Sequence, residues 1–506
     1  MNDLSARKEQ PDLRPDLGIV RTEGGLLSGV GEGIRVFKGI PFAAPPVGER
    51  RWRPPEPAEP WDGIRDATAF GADCPQEMRP GSRAGRIDED CLTLNIWTPA
   101  RAADEALPVM VWFYGGSFLF GSASDIRFDG EAFARKGVVL VTAAYRVGLF
   151  GFLAHPGLTR ESPHGASGNY GLLDQIAALG WVQRNIATFG GDPKRVTAFG
   201  VSAGSASIAM LLTSPLAAGL FQRAILESPG AFRPLASLAE AERAGTTLGP
   251  DIAALRQMPA EEVLTKTNLL VPKVRGLTTP RVLRPIRDGW VIREDERDAF
   301  KAGRFHAMPT IVGGNADEGA TLTATWPMRT PADLRELAVA NFPQAGEEAV
   351  ALYPAAHNGE VRGRVAEMFA DTQFNYGVRQ LARSMSVRTP LTWRYLFLRR
   401  RAGRLDGPNH GEEVCYVFNT LGLALAGQEV PPFDDVDTRV AEAMQAAWVR
   451  FAATGDPNGG DLPHWPAFRA DGDPHLEFDD TIRTGANWRR RQMDFLDGYY
   501  ARMKEG

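Results

Sequence analysis

The stretch from Val196 to Ala206 constrains this chain more than any other, because Gly200, Ser202 and Gly204 form a G-x-S-x-G pattern in a demanding context. An apolar run with strand character enters it, and a run with Ile208, Leu211 and Leu212 at helical spacing leaves it. A chain that passes from buried strand to helix within a few residues must turn sharply at the serine. Such a turn lifts the hydroxyl onto an exposed corner and aims nearby amides at a bound molecule. Five letters alone arise by chance in a glycine-rich chain. The strand before and the helix after make Ser202 the candidate nucleophile.

The flanking segments predict an α/β fold with a mainly parallel sheet. Residues 107–114 and 137–145 are continuous apolar runs, as expected of strands covered on both faces. Residues 195–199, 221–226, 308–313 and 391–398 also read as strands. In 172–189, Leu172, Ile176, Leu179, Val182 and Ile186 recur at helical spacing. Residues 24–38 read as short strands and 39–60 as a long surface loop rich in Pro and Arg. Helices are expected near 238–243 and 260–267, over 437–453, and in an Arg-rich terminal segment, 481–503. Residues 331–388 read as a helical cap or insertion. With no repeat and no low-complexity linker, one large domain over 18–506 is expected after a polar tail, 1–17. Ligands bind at the carboxyl ends of strands in such sheets, where the elbow and the Gly115, Gly116, Ser117 turn both fall.

Composition narrows the function classes. The formal net charge is −5, from 57 basic and 62 acidic residues spread along the chain, so nothing draws nucleic acid or an anionic membrane surface. No apolar run reaches the roughly 18 residues of a membrane span. The polar start lacks a secretory apolar segment, so a cytoplasmic protein, or one that has lost a leader, is expected. Cys74, Cys91 and Cys415 are too scattered for a zinc cluster, and neither metal nor cofactor is expected. Cys74 and Cys91 could close a short loop if the compartment allowed oxidation, while Cys415 reads as an inert core residue.

A serine hydroxyl needs a histidine base, and that base needs a carboxylate to hold its tautomer. Five histidines follow Ser202: His306, His357, His410, His464 and His475. His410 is best placed, in a loop between a strand and an apolar run, whereas His464 and His475 sit in Pro- and Asp-rich turns where a surface position is the default. For the acid, Glu318 is favoured, in a glycine-flanked turn after the 308–313 strand, with Asp317 the immediate rival.

In these residues the chain resembles the type B carboxylesterases, which include para-nitrobenzyl esterases and cholinesterases. The resemblance runs from about Gly18 to the last helix. Its motifs are Phe37 to Ala43, Glu89 to Trp97, Val111 to Gly116, Gly168 to Gln175, the elbow, Asp317 to Gly319, and His410 with Gly411. It implies an α/β-hydrolase fold with a helical insertion after the acid, and a Ser202, Glu318, His410 triad. It also implies an oxyanion hole from the amides of Gly116, Ser117 and Ala203, with Ser228 supporting the acid from behind. The same likeness matches Cys74 and Cys91 to a pair that closes a loop near the gorge entrance.

Two positions depart from the family. Residue 117 is serine where a third glycine is usual, which puts the geometry of the oxyanion hole in doubt, and residue 201 is valine where a glutamate usually adjoins the nucleophile. Residues 75–90 also contain no aromatic residue, so the tryptophan that holds a quaternary ammonium in cholinesterases has no counterpart. Val201 and the missing aromatic argue against a choline ester. The expectation is a serine esterase acting on small carboxylic esters through an acyl-enzyme, with Phe118, Phe120, Phe150 and Phe232 as candidate pocket residues. The alternatives are a carbamate or amide hydrolase with the same triad, and a non-catalytic binding module on the same fold. The oligomeric state is left open.

Overall fold

Strands buried on both faces set the architecture. In the computed structural model, which describes residues 18–503 apart from 275, 405 and 425–431, every residue of Val139–Ala143 is buried, as are all but the first of Leu107–Phe113. Such runs are stable only between layers of helix. Thirteen strands form among the described residues. They are β1 (Ile19–Thr22), β2 (Gly25–Ser28), β3 (Arg35–Pro41), β4 (Ile64–Asp66), β5 (Thr93–Thr98), β6 (Leu107–Phe113), β7 (Val139–Ala143), β8 (Gly191–Val201), β9 (Arg223–Glu227), β10 (Thr310–Asn315), β11 (Thr392–Phe397), β12 (Pro474–Phe478) and β13 (Arg483–Ala486).

Ten of them build one sheet in the order β13-β12-β11-β10-β9-β8-β6-β7-β5-β3, and β1, β2 and β4 form a small separate sheet. From β7 through β12 every neighbouring pair is parallel, while β5, β3 and β13 add antiparallel pairings at the two edges. One row across the centre runs Val141, Val111, Ala198, Ala224, Thr310, Thr392. Parallel alignment gathers the carboxyl ends of β6, β8, β9 and β10 on one edge. This is the mostly parallel central sheet of the α/β-hydrolase fold. Among the described residues one large hydrophobic cluster extends from Val20 to Tyr500, with a small second one at Ala154, Ala236, Ala241 and Ile286.

The helical insertion lies between β10 and β11, with helices at Pro331–Asn341, Gly346–Leu352, Asn358–Ala370 and Tyr376–Arg388. The last two are joined by one π-helical segment, Asp371–Asn375. Among the described residues no helix is long and apolar enough to cross a membrane.

Three local expectations are corrected. Residues 481–503 are not one helix but β13 followed by a helix at Arg490–Arg502. The pairing of β13 with β12, which no local pattern announces, captures the first part. The 39–60 segment is not wholly a surface loop, because Phe42 and Trp52 are buried and the Trp52 indole donates to the Leu149 carbonyl at 2.9 Å. His475, expected on the surface, sits on β12 and is buried, and desolvation holds its pKa below the usual histidine range.

Beside the elbow, the helix at Tyr170–Asn185 carries a buried ion pair. Asp174 accepts from the Arg146 main-chain N (2.9 Å) and Nε (2.8 Å) on Oδ2, and from Nη2 on Oδ1 (2.7 Å), with both side chains essentially inaccessible. Removing one partner strands a buried charge. Asp174→Asn is therefore expected to cost about 3 kcal/mol of stability, read as a lower urea midpoint at an unchanged slope.

Candidate active site

Ser202 terminates β8 and starts the helix at Ala203–Leu211, with φ 57° and ψ −115°. That conformation is costly for a residue with a side chain, about 1–3 kcal/mol. Hydrogen bonds hold it in place: Ser202 N–H donates to the Glu227 carbonyl of β9 (2.9 Å), and Ala206 N–H donates to the Ser202 carbonyl (2.8 Å). The elbow glycines serve packing rather than rotation. A Cβ on Gly204 would lie 2.0 Å from the Phe113 carbonyl oxygen, and one on Gly200 would lie 2.5 Å from the same atom.

The opposing turn follows β6. Gly116 has φ +125°, and a Cβ there would lie 1.9 Å from the Phe120 carbonyl, so only glycine fits. Ser117 and Phe118 both adopt positive φ, 59° and 66°. Ser117 thus keeps the left-handed backbone that a glycine would hold without strain. Gly116, Ser117 and Ala203 all line the cavity that contains Ser202.

The third component comes from two loops that meet. A parallel bridge joins Asp317 to Asn409, and Asn315 Nδ2 donates to the Asn409 carbonyl at 2.6 Å. This juxtaposes Glu318 with His410, whose Nδ1 donates to Glu318 Oε2 in a short contact. The Phe374 ring packs on the imidazole with centroids 4.4 Å apart. Glu318 Oε1 accepts from Ser228 Oγ (2.5 Å) and Asn315 N–H (2.7 Å). The rival acid, Asp317, instead accepts from Ala320 N–H at 3.1 Å. Of the other histidines after Ser202, His306 contacts the Ser214 carbonyl at 2.9 Å and His357 and His464 are exposed.

Ser202 and His410 line one cavity of about 300 Å³. Phe118 and Phe120 lie on its wall, joined by Phe128, Phe369 and Phe374. Phe150 and Phe232 do not. Phe150, on the short helix Gly148–Phe152, packs beneath the Arg51 guanidinium, and Phe232, with φ 58°, faces a different cavity with Phe300 and Phe305. Val201 does line the cavity. Cys74 and Cys91 are buried free thiols, and hydrogen bonding to Cys74, with burial second, pushes the Cys91 thiol well up. Cys415 is a buried free thiol too, pushed up to about 12 by burial.

Sequence reasoning missed Glu413. It is fully buried and accepts from Ser228 Oγ at 3.3 Å and from Asn315 Nδ2. Burial, followed by the adjacent Glu318 charge, raises its pKa to about 7. Behind it, burial and the Glu413 charge raise Glu227 well above the carboxylate range, although the Trp448 indole donates to it at 2.9 Å. The local signal was a second glutamate three residues after the histidine, which in isolation reads as a solvated charge.

A strained serine at a strand-to-helix elbow, a buried carboxylate orienting a histidine, and amides on the same cavity define a serine hydrolase of the α/β-hydrolase class. The model of the carboxylesterase family matches residues 16–496. The chain belongs to that family and is a carboxylic ester hydrolase acting on small-molecule esters. It is similar to fumonisin B1 esterase of Sphingopyxis macrogoltabida, 45% identical over 476 residues that cover 93% of this chain and 87% of that protein. Carboxylesterase 4A of Bos taurus is 34% identical (91% and 90% covered), and cocaine esterase of Homo sapiens is 33% identical (87% and 83%). A solved structure of PNB esterase superimposes with a TM-score of 0.83 at 31% identity, covering 94% of this chain and 99% of that one.

Two outcomes follow from this geometry. Because β-branched residues resist positive φ, Ser117→Val is expected to shift the turn and cost about 10²- to 10³-fold in kcat, whereas Ser117→Gly stays within about threefold of the parent; steady-state kinetics on a small ester decide. Glu413 has a folded-state pKa near 7, above the model-peptide value of about 4.3. The folded state therefore holds a proton that the unfolded state releases, and this contribution is present at low pH and lost as pH rises through 7. Between about pH 5 and 8 it amounts to about 2 kcal/mol. Urea unfolding across that range should show a flatter stability profile for Glu413→Gln than for the parent.

Proposed function

We propose that Ser202 is the nucleophile of a Ser202, His410, Glu318 triad that cleaves carboxylic esters through an acyl-enzyme. The observation that carries this reading is the His410 Nδ1 to Glu318 Oε2 hydrogen bond beside a cavity shared by His410 and Ser202. A proton held on Nδ1 leaves the basic lone pair on Nε2. His410 takes the Ser202 proton as the hydroxyl attacks the carbonyl, and Glu318 stabilises the imidazolium. The amides of Gly116, Ser117 and Ala203 receive the negative charge that develops on the carbonyl oxygen. His410 next protonates the leaving alcohol, then draws a proton from the water that attacks the acyl-enzyme. Ser228 holds Glu318 in place through its hydroxyl.

The test is release of 4-nitrophenol from acetyl, butyryl and octanoyl esters by the parent and by Ser202→Ala. The variant is expected to lose at least about 10⁴-fold in kcat. Fumonisin B1, after which the 45% identical relative is named, is assayed beside them. Equal slow rates in parent and variant would refute the assignment.

A further inference from the structure

A second cavity lies away from Ser202, among the segment after β9 and the helices at Glu296–Lys301, Tyr376–Arg388 and Arg490–Arg502. Its volume is about 590 Å³, larger than the 300 Å³ at Ser202. Five aromatic residues line it: Phe232, Phe300, Phe305, Tyr376 and Tyr500. Their rings pack in contiguous pairs, with centroids 5.2 Å apart for Phe232 and Phe300, 4.7 Å for Phe300 and Phe305, and 5.0 Å for Tyr376 and Tyr500. The Tyr500 hydroxyl is buried and has no hydrogen-bond partner among the described residues. Burial pushes its pKa up to about 12, so at neutral pH it is a donor that lacks an acceptor.

The charges on this wall do not balance. Arg297, Lys301, Arg383 and Arg388 share it with one carboxylate among the described residues, Asp497. Asp497 is committed, accepting from Arg383 Nη1 (2.6 Å) and Gln380 Nε2 (2.5 Å). Arg297 is held by Asp295, to which it donates from Nε (2.8 Å) and Nη2 (3.2 Å). Arg388 donates to a neutral acceptor, the Gly303 carbonyl (3.0 Å), and among the described residues Lys301 has no ion pair. Lys301, Val387 and Arg388 are all exposed, Val387 at 83%. Two cations without a carboxylate and one apolar side chain therefore stand at the open side.

An aromatic wall of this size accepts an apolar body. The cations at its opening favour an anionic end, which takes charge-assisted hydrogen bonds from ammonium and guanidinium groups. A cationic amphiphile would meet like charge there. A second copy of this chain suits the face less well, because a two-fold interface brings the same positive patch to both sides.

We infer that this cavity binds an anionic amphiphile, a carboxylate on a long apolar chain, with the chain among the five rings and the carboxylate at Lys301 and Arg388. The site is separate from Ser202, and its occupation does not depend on the role assigned to that serine.

The test is isothermal titration of the full chain with dodecanoate at neutral pH, below its micelle concentration, beside dodecyltrimethylammonium. The expected result is a saturable dodecanoate site at least about tenfold tighter than any for the cation. Lys301→Glu and Arg388→Glu are each expected to weaken that site at least about tenfold, and added salt weakens it in the parent. Neither residue lines the Ser202 cavity, so 4-nitrophenyl acetate hydrolysis should stay within about twofold of the parent in both variants. Should either fail to fold, Val387→Glu, which sets a like charge at the opening, takes its place and is expected to weaken binding in the same sense. No saturable dodecanoate binding, or binding of equal strength in parent and variants, overturns the inference. So does a dimer in sedimentation equilibrium that Val387→Glu dissociates, since a second copy then covers this face.

Discussion

Everything at the active edge depends on how closely the helix at Ala203–Leu211 approaches β6. The Phe113 carbonyl lies where side chains on Gly200 and Gly204 would have to be, so both positions must lack a Cβ. Once the helix is pressed against the strand end, Ser202 has no relaxed conformation available and adopts φ 57°. Its amide is captured by β9 and its carbonyl by the helix. The strain is thus offset by the surrounding sheet. The same approach places the Gly115 backbone beneath Ser202: a Cβ there would lie 2.9 Å from that of Ser202. The elbow and the turn after β6 are therefore one packing solution.

The acid side obeys a different constraint. Glu318, Glu413 and Glu227 are all fully buried, and water cannot help to hold three negative charges there. The protein orders them by partner. Glu318 receives His410, Ser228 and the Asn315 amide, Glu413 shares Ser228 and Asn315, and the Glu227 carboxyl accepts from the Trp448 indole. Burial raises the pKa of Glu413 to about 7 and that of Glu227 well above the carboxylate range, so both hold protons more readily than an exposed carboxyl.

In the cavity, apolar and basic side chains share one wall. Phe118, Phe120, Phe128, Phe369 and Phe374 supply its apolar part, and Arg79, Arg127, Arg233 and Arg281 reach it from separate segments of the chain. No window of sequence contains that wall. Arg79 and Arg233 lie 154 residues apart by number, one before β5 and one after β9.

The sequence alone determined what depends on local periodicity and on short motifs. Continuous apolar runs became β6 and β7, the helical spacing after Leu172 became most of Tyr170–Asn185, and the strand-serine-helix context became the elbow. His410 and Glu318 were named from loop position and from resemblance, and the structure brings them into hydrogen-bond contact. Tertiary structure decided what depends on pairing and burial between distant segments. It made β13 a strand by giving it β12 as a partner, buried His475, turned Phe150 and Phe232 away from the cavity, and placed Glu413 beside Glu318 and Ser228. A residue's type states what it can do. Its desolvation and its neighbours, which no local pattern encodes, determine which of those capacities is used.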